Sequence, residues 1–165
     1  MSTEDPLNDY EQNIIANVRE HGCHINVVAD PDGDAPAFAY SIGFQQSVHQ
    51  PEVIIFGLPF DIMTFMINET LHQCRAGLQL GDWTRVDDLL IGHSCIARAV
   101  DPRYVVTDYL NSAIWFHERT AGKGLPDVVQ LVWPGAEDGV FPWEDGCSES
   151  VRKNQPALYE QRQAA

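Results

Sequence analysis

The chain has 165 residues, 44% of them hydrophobic, and its 24 acidic against 10 basic side chains give a formal charge of −14. This composition is typical of one globular domain, and the length suffices to bury roughly two-thirds of the unfolded surface. Because nucleic acids and anionic membranes are bound through clustered Lys and Arg, the acidity disfavours both as partners. The N-terminus has no secretion signal and no apolar run reaches the ~20 residues of a membrane helix, so we expect a bacterial-type cytoplasmic protein.

The first part of the chain predicts one amphipathic helix followed by three strands. The helix begins at Asp5-Pro6 and ends before Gly22, and a turn-rich segment at 30–36 separates the first two strands. The predicted strands are 23–29, 37–44 and 53–58, with a polar loop before the third. The first two strands are expected to pair as a hairpin, and the third is apolar enough to be buried on both faces.

The strand at 37–44 alternates strictly between large and small side chains. On one face it carries Phe38, Tyr40, Ile42 and Phe44, and on the other Ala37, Ala39, Ser41 and Gly43. The bulky face can fill a core. The bare face allows a helix, another backbone or a ligand to come close.

The rest of the chain predicts two more helices and two more strands. The ranges are a helix at 60–76, a strand at 94–100, a helix from Asp101-Pro102 to about Gly122, and a strand at 127–133. A polar stretch containing 81–83 is predicted as a connection, 141–143 as a segment packed back on the body, and the final residues as frayed. The fold class is therefore α+β. We expect one domain over 1–165, with an ordered core at about 7–145, an irregular tail at 146–165, and a mainly antiparallel sheet of about five strands flanked by three helices.

Two groups of His and Cys are weak candidates for a metal site. His21 and Cys23 would share one strand face, as would His93 and Cys95, so four ligands meet only if the two strands are neighbours. The alternative is a helix-terminal His21 and buried thiols, which is the default for the four widely spaced cysteines in a reducing compartment.

An acid-base group is predicted around the loop that joins the second and third strands. His49, Glu52 and Tyr40 are the catalytic candidates if they converge within hydrogen-bond distance. Glu52 follows Pro51 at the start of an apolar strand, so it is either held by backbone amides or turned into a pocket. A carboxylate that holds the loop is the structural alternative.

Amides and aromatic residues supply the remaining candidates. Asn68 and Gln130 interrupt apolar stretches. In one interpretation they face a shared polar pocket, in which Tyr40, Ser41 and Glu52 are further ligand-binding residues. In the other they form hydrogen bonds with loop backbone. Six aromatic side chains have two interpretations: they fill the core, or they line a cavity for a flat flavin- or haem-like cofactor. They are Trp83, Trp115, Trp133, Trp143, Tyr40 and Tyr109. Phosphate-loop, dinucleotide, nucleophile-elbow and zinc-protease motifs are absent from the sequence.

The chain resembles a bacterial family, domain of unknown function 4262, over about residues 18–156. The resemblance rests on 20–22, 38–43, 51–52, 56–59, Asn68, 100–101, 115–116, 130–134 and 141–143. It implies a small stand-alone bacterial domain without an assigned activity or cofactor. Relatives usually have Trp in place of Cys23, which weakens the case for a metal site at that thiol. They also tend to have His in place of Gln50, so a catalytic role of that histidine in relatives would be lost or altered in this chain.

Two functions remain open at this point. The first is a domain that binds a small molecule or a protein partner in a pocket near the central strands. The second is a small hydrolase or lyase that uses the His, Glu and Tyr groups as acid and base.

Overall fold

The computed structural model describes residues 6–105 and 107–159. The elements in chain order are α1 (Asp9–His21), β1 (His24–Val28), β2 (Phe38–Ile42), α2 (Phe44–Val48), β3 (Glu52–Phe56), α3 (Phe60–Arg75), β4 (Thr84–Leu90), β5 (His93–Ala99), a 3-10 turn (Pro102–Tyr104), α4 (Thr107–Ala121), β6 (Val128–Val132) and α5 (Glu149–Asn154). The predicted α+β class is confirmed.

The strands form one sheet in the order β1-β2-β3-β6-β5-β4. Within β1-β2-β3 and within β6-β5-β4 every neighbouring pair is antiparallel. The two halves meet in a parallel ladder, in which Glu52 of β3 lies opposite Val128 of β6. The sheet is therefore mainly antiparallel, as predicted, but has six strands rather than about five and contains this one parallel pair among the described residues.

Local signals explain the ends of α1. The Asn8 side chain accepts a hydrogen bond from the Glu11 amide while the Glu11 carboxylate accepts one from the Asn8 amide, which forms a capping box. Gly22 ends the helix with φ 95°, a left-handed value that glycine adopts without strain. The predicted end is confirmed, whereas the start lies at Asn8 and not at the predicted Asp5-Pro6, of which Asp5 is outside the described residues.

Helices cover both faces of the sheet. The core beneath α3 contains Ala39, Val53, Ile55, Val129 and Leu131 from the strands. The opposite core, beneath α1 and α4, contains Phe38, Tyr40, Ile42, Ile54 and Val128. The alternation of β2 thus works as predicted: its bulky face fills one core and its bare face admits α3.

Phe44 is the exception in this pattern. Gly43 has φ 105° and turns the chain into α2, so Phe44 packs under α3 and not beside Tyr40 and Ile42. A Cβ at Gly43 would lie 2.8 Å from the Val18 methyl groups of α1, so the turn also lets α1 come close. The prediction of one continuous strand over 37–44 is wrong at this end.

Four other predictions need correction. The polar loop after β2 contains α2, and the polar stretch after α3 contains β4, whose ladder with β5 is irregular between Val86 and Leu90. Asp101 caps a separate 3-10 turn before α4 begins. The tail predicted as irregular contains α5, and Tyr159 bridges to Val100. The expected fraying concerns residues 160–165, which lie outside the described residues.

Candidate functional site

Glu52 lies at the first position of β3 with 2% of its surface exposed. Its Oε1 accepts hydrogen bonds from the Ser41 hydroxyl at 2.7 Å and the Phe44 amide at 3.1 Å, and its Oε2 accepts one from the Gly43 amide at 2.9 Å. The Ser41 oxygen in turn accepts a bond from the Val53 amide. The carboxylate is therefore held by backbone amides, and it ties β2, the turn into α2 and β3 together.

Burial dominates the protonation of this carboxyl group. Desolvation raises the pKa of Glu52 from 4.5 to about 7, although the hydrogen bonds from Ser41, Phe44 and Gly43 oppose the rise because they favour the charged form. Burial also raises the pKa of the nearby Cys23 thiol to about 12, and the negative charge of Glu52 adds to that effect. Cys23 is thus a protonated thiol with no nucleophilic character at neutral pH.

The Tyr40 hydroxyl belongs to a different polar network. It accepts hydrogen bonds from Asn26 Nδ2 at 2.9 Å and from the Ser112 amide at 3.2 Å. Asn26 also donates to the Tyr10 hydroxyl and bonds through Oδ1 to the His24 ring. The network joins β1 and β2 to α1 and α4, and its groups are used within the protein.

The structure does not bring the three acid-base candidates together. His49 ends α2 with φ 56° and is exposed, whereas Glu52 and Tyr40 are buried. Among the described residues, no hydrogen bond joins any two of the three. Their catalytic role stays a prediction that the geometry does not favour.

The two amide candidates lie on opposite sides of the sheet. Gln130 is fully buried, donates to the Pro156 carbonyl at 2.9 Å and accepts from the Leu158 amide at 3.0 Å, so it holds the segment after α5. Asn68 is exposed on α3. A polar pocket shared by the two is not formed.

The four metal candidates are also separated. Cys23 precedes β1 at one end of the sheet order, and His93 and Cys95 lie on β5 with three strands between. His21 is exposed, and His93 Nε2 is 2.8 Å from the Ala136 carbonyl oxygen. In the described part of the chain, no cluster of three or more His, Cys, Asp or Glu side chains is suited to hold a metal.

The aromatic residues do not surround one cavity. Trp133 is buried under α3 and donates from Nε1 to the Phe56 carbonyl, while Tyr40, Tyr109 and Trp115 pack in the opposite core. Trp83 and Trp143 lie elsewhere, in contact with each other at 5.1 Å between ring centroids. A common site for a flat cofactor is therefore not assembled from them.

Trp83 and Trp143 belong to a group that the sequence did not predict, which we call the Arg98 cluster: Asp82, Trp83, Arg98, Trp143 and Tyr159. The Arg98 guanidinium lies 3.7, 5.1 and 4.5 Å from the ring centroids of Trp83, Trp143 and Tyr159, respectively. Its Nε donates to Asp82 Oδ1 at 2.9 Å. Phe141 stacks on the far side, 5.1 Å from Trp143, so the predicted packing of 141–143 onto the body occurs here. An Arg within an apolar strand was the available signal.

An open cavity lies where β3 and β6 begin and β5 ends. Its volume is about 250 Å³, and we call it the β3–β6 cavity. It is lined by Pro51, Leu80, Gly81, Ala99, Val100, Pro102, Val105, Pro126, Asp127, Val128 and Val129. Prolines and aliphatic residues make up most of the lining, backbone groups add polar surface, and Asp127 is the charged residue among the described lining residues. Glu52 follows Pro51 and pairs with Val128, so its backbone adjoins two residues of the cavity lining, while its carboxylate bonds to Ser41 and to the turn into α2.

A second, wider depression of about 350 Å³ lies beside the irregular β4–β5 hairpin. It is lined by Asp87, Asp88, Leu90, Gly92, His93 and Ser94. Asp87 is already paired with Arg85 and accepts from the Ser94 hydroxyl, which lowers its pKa. Ser94, Asp87 and His93 thus already have partners within the protein, and no site is assembled in this depression.

The fold and these features define an α+β domain with one mixed sheet between helical layers. The chain belongs to the family described as "Domain of unknown function (DUF4262)", whose sequence model matches residues 17–148. Comparison with curated proteins and with solved structures gives no match. Within the described residues, no helix has both the length and the apolar character that crossing a membrane requires.

Proposed function

We propose that this protein is a binding domain whose β3–β6 cavity takes a small, mainly apolar ligand with one cationic or hydrogen-bond-donating group. The observation that carries the proposal is the cavity itself: an opening with apolar walls and one carboxylate, at the end of the central strands. Binding sites commonly combine such walls with a few polar groups that orient the ligand.

The size of the cavity limits the ligand. Drug-sized pockets span about 300–1,000 Å³, and the volume here is about 250 Å³. A single aromatic or aliphatic ring with a short substituent is the matching class. A carboxylate at the opening favours an ammonium group on that substituent, because a charge-assisted hydrogen bond is roughly twice as strong as a neutral one.

The buried polar residues have a supporting role in this proposal. Tyr40, Ser41, Glu52 and Gln130 are nearly inaccessible and bonded within the protein. Glu52 holds the start of β3, next to Pro51, and so fixes one wall of the cavity. We therefore assign these residues to positioning the walls rather than to direct contact with a ligand.

The test compares binding of benzylamine and of benzyl alcohol, its neutral analogue, by native mass spectrometry and by chemical-shift changes. We expect the amine to bind more tightly and to perturb residues that line the cavity. Asp127→Asn should weaken amine binding about tenfold, the loss expected when one charge-assisted hydrogen bond becomes neutral. Ala99→Trp, which places a large ring at the cavity wall, should prevent binding of both compounds.

Asp32→Asn is the matched control, since it removes the same charge at an exposed turn outside the cavity lining. It should leave benzylamine binding unchanged. The proposal is wrong if neither compound binds, or if binding persists unchanged in both Asp127→Asn and Ala99→Trp.

A further inference from the structure

The Arg98 cluster contains a buried cation whose hydrogen-bonding capacity is only partly used. Arg98 is 8% exposed, and a guanidinium stays charged at every physiological pH. Its Nε donates to Asp82, while the described residues offer no hydrogen-bond acceptor to Nη1 or Nη2. The cation is thus stabilised by one carboxylate and three aromatic rings. The edge of the guanidinium formed by Nη1 and Nη2 has no acceptor among the described residues.

That free edge is accessible. Among the described residues, the buried side-chain atoms that lack a partner are Gln46 Oε1 and His117 Nε2, and neither terminal nitrogen of Arg98 is one of them. Nη1 and Nη2 are therefore not completely enclosed, although most of the side chain is covered. Trp83, with φ 71° and 54% exposed, is the most exposed of the three rings, and the guanidinium lies over it at 3.7 Å from the ring centroid.

We propose that the Arg98 cluster is a binding site for a singly charged carboxylate carried on a flat, apolar group. The two Nη donors match the two oxygens of a carboxylate, which is the bidentate geometry that guanidinium groups favour. The exposed Trp83 ring supplies a surface on which a flat group stacks. This site is separate from the β3–β6 cavity, since none of Trp83, Arg98, Trp143 and Tyr159 lines that cavity.

Charge decides between a carboxylate and a phosphate, which the same donors can bind. Asp82 already neutralises Arg98, and the whole chain carries a formal charge of −14. A doubly charged phosphate meets about twice the repulsion of a carboxylate under these conditions. The site is therefore expected to prefer the singly charged ligand.

The experiment titrates the intact protein with benzoate and follows tryptophan fluorescence and chemical shifts. Benzyl alcohol controls for ring stacking without charge, acetate for charge without a ring, and inorganic phosphate for general anion binding. We expect benzoate to bind more tightly than all three and to perturb the indole signals of Trp83 and Trp143.

Two variants give opposite expected changes. Arg98→Lys keeps the positive charge but removes the two parallel N–H donors of the guanidinium, and it should weaken benzoate binding about tenfold or more. Asp82→Asn keeps an oxygen for the Arg98 Nε and Ala99 amide donors but removes the competing charge, so it should tighten binding several-fold. Circular dichroism checks that each variant is folded, and Asp82→Asn still tests the site if Arg98→Lys does not fold.

Several outcomes would overturn the proposal. These are the absence of benzoate binding at millimolar concentration, equal binding of benzoate and phosphate, or weaker binding in Asp82→Asn. Asp127→Asn, which tests the cavity, should not weaken benzoate binding. A failure here is thereby distinguishable from a failure of the proposed function.

Discussion

Two buried ionisable residues, Glu52 and Arg98, are nearly equally inaccessible but are stabilised in opposite ways. Both oxygens of Glu52 accept hydrogen bonds, and the donors lie within 11 residues of it along the chain. Among the residues that the structure describes, Arg98 bonds through one of its three nitrogens, and three aromatic rings surround its guanidinium. A buried polar group whose hydrogen bonds are all made within the protein serves the architecture, whereas one with unused donors is available to a ligand.

The largest expected effect is that of Glu52→Ala at pH 5. The substitution leaves the Ser41 hydroxyl and two buried backbone amides without their acceptor and opens a void. We expect the free energy of unfolding to fall by about 4 kcal/mol, measured by urea denaturation. Glu118→Ala, at an exposed position of α4, is the control and should change nothing measurable. A loss equally small in both variants would mean that Glu52 does not hold the loop.

The pH dependence of stability tests the same residue without creating a void. The folded-state pKa of Glu52, about 7, lies above the unfolded value of 4.5, so the native protein binds this proton more tightly. Its contribution is complete below about pH 4.5 and is lost as the pH rises to about 7. Since glutamine does not titrate, the stability difference between wild type and Glu52→Gln should fall by roughly 3 kcal/mol over this range. A constant difference would show that folding does not raise the pKa of Glu52.

Arg98→Leu should cost less than Glu52→Ala although Arg98 is also buried. The substitution removes three cation–π contacts, but the Asp82 side chain is 44% exposed and regains hydration while it keeps its bond from the Ala99 amide. We expect a loss of about 1–2 kcal/mol in the free energy of unfolding. Arg85→Leu, which removes an exposed ion pair, serves as the comparison. A cost as large as that of Glu52→Ala would make Arg98 an architectural residue and remove the contrast.

The smallest expected effect is that of His49→Asn. His49 is exposed, and asparagine tolerates the left-handed conformation at this position. We expect neither the melting temperature nor the pH dependence assigned to Glu52 to change. A shift of that dependence would show that His49 lies close enough to Glu52 to affect it, as the acid-base hypothesis requires.

What could be predicted from the sequence was mostly local. The alternation within 37–44 correctly separated a core-filling face from a bare face over 38–42, and Glu52 was recognised as either amide-bound or turned into a pocket. Strand β4 escaped recognition because its Asp87 and Asp88 interrupt the apolar pattern, Asp88 with φ 66°, where the ladder is irregular. Phe44 was misplaced because the turn at Gly43 is a backbone event that periodicity does not record.

The functional features were harder to predict because they depend on distant contacts. The β3–β6 cavity draws its lining from segments between Pro51 and Val129, and the Arg98 cluster joins Trp83 to Tyr159. Side chains so far apart in the chain meet only once the strand order is known. Neither composition nor spacing encodes that order directly.

The parallel ladder between β3 and β6 has a kinetic consequence. This ladder pairs Glu52 with Val128. The other strand pairs, β1–β2, β2–β3, β4–β5 and β5–β6, join segments that are nearer in sequence. Contacts between distant residues cost the most loop-closure entropy. Each three-stranded half should therefore gain structure before β3 pairs with β6. Substitutions at Val53 or Val129 are therefore expected to slow the last step of folding, and the β3–β6 cavity should appear only when that step is complete.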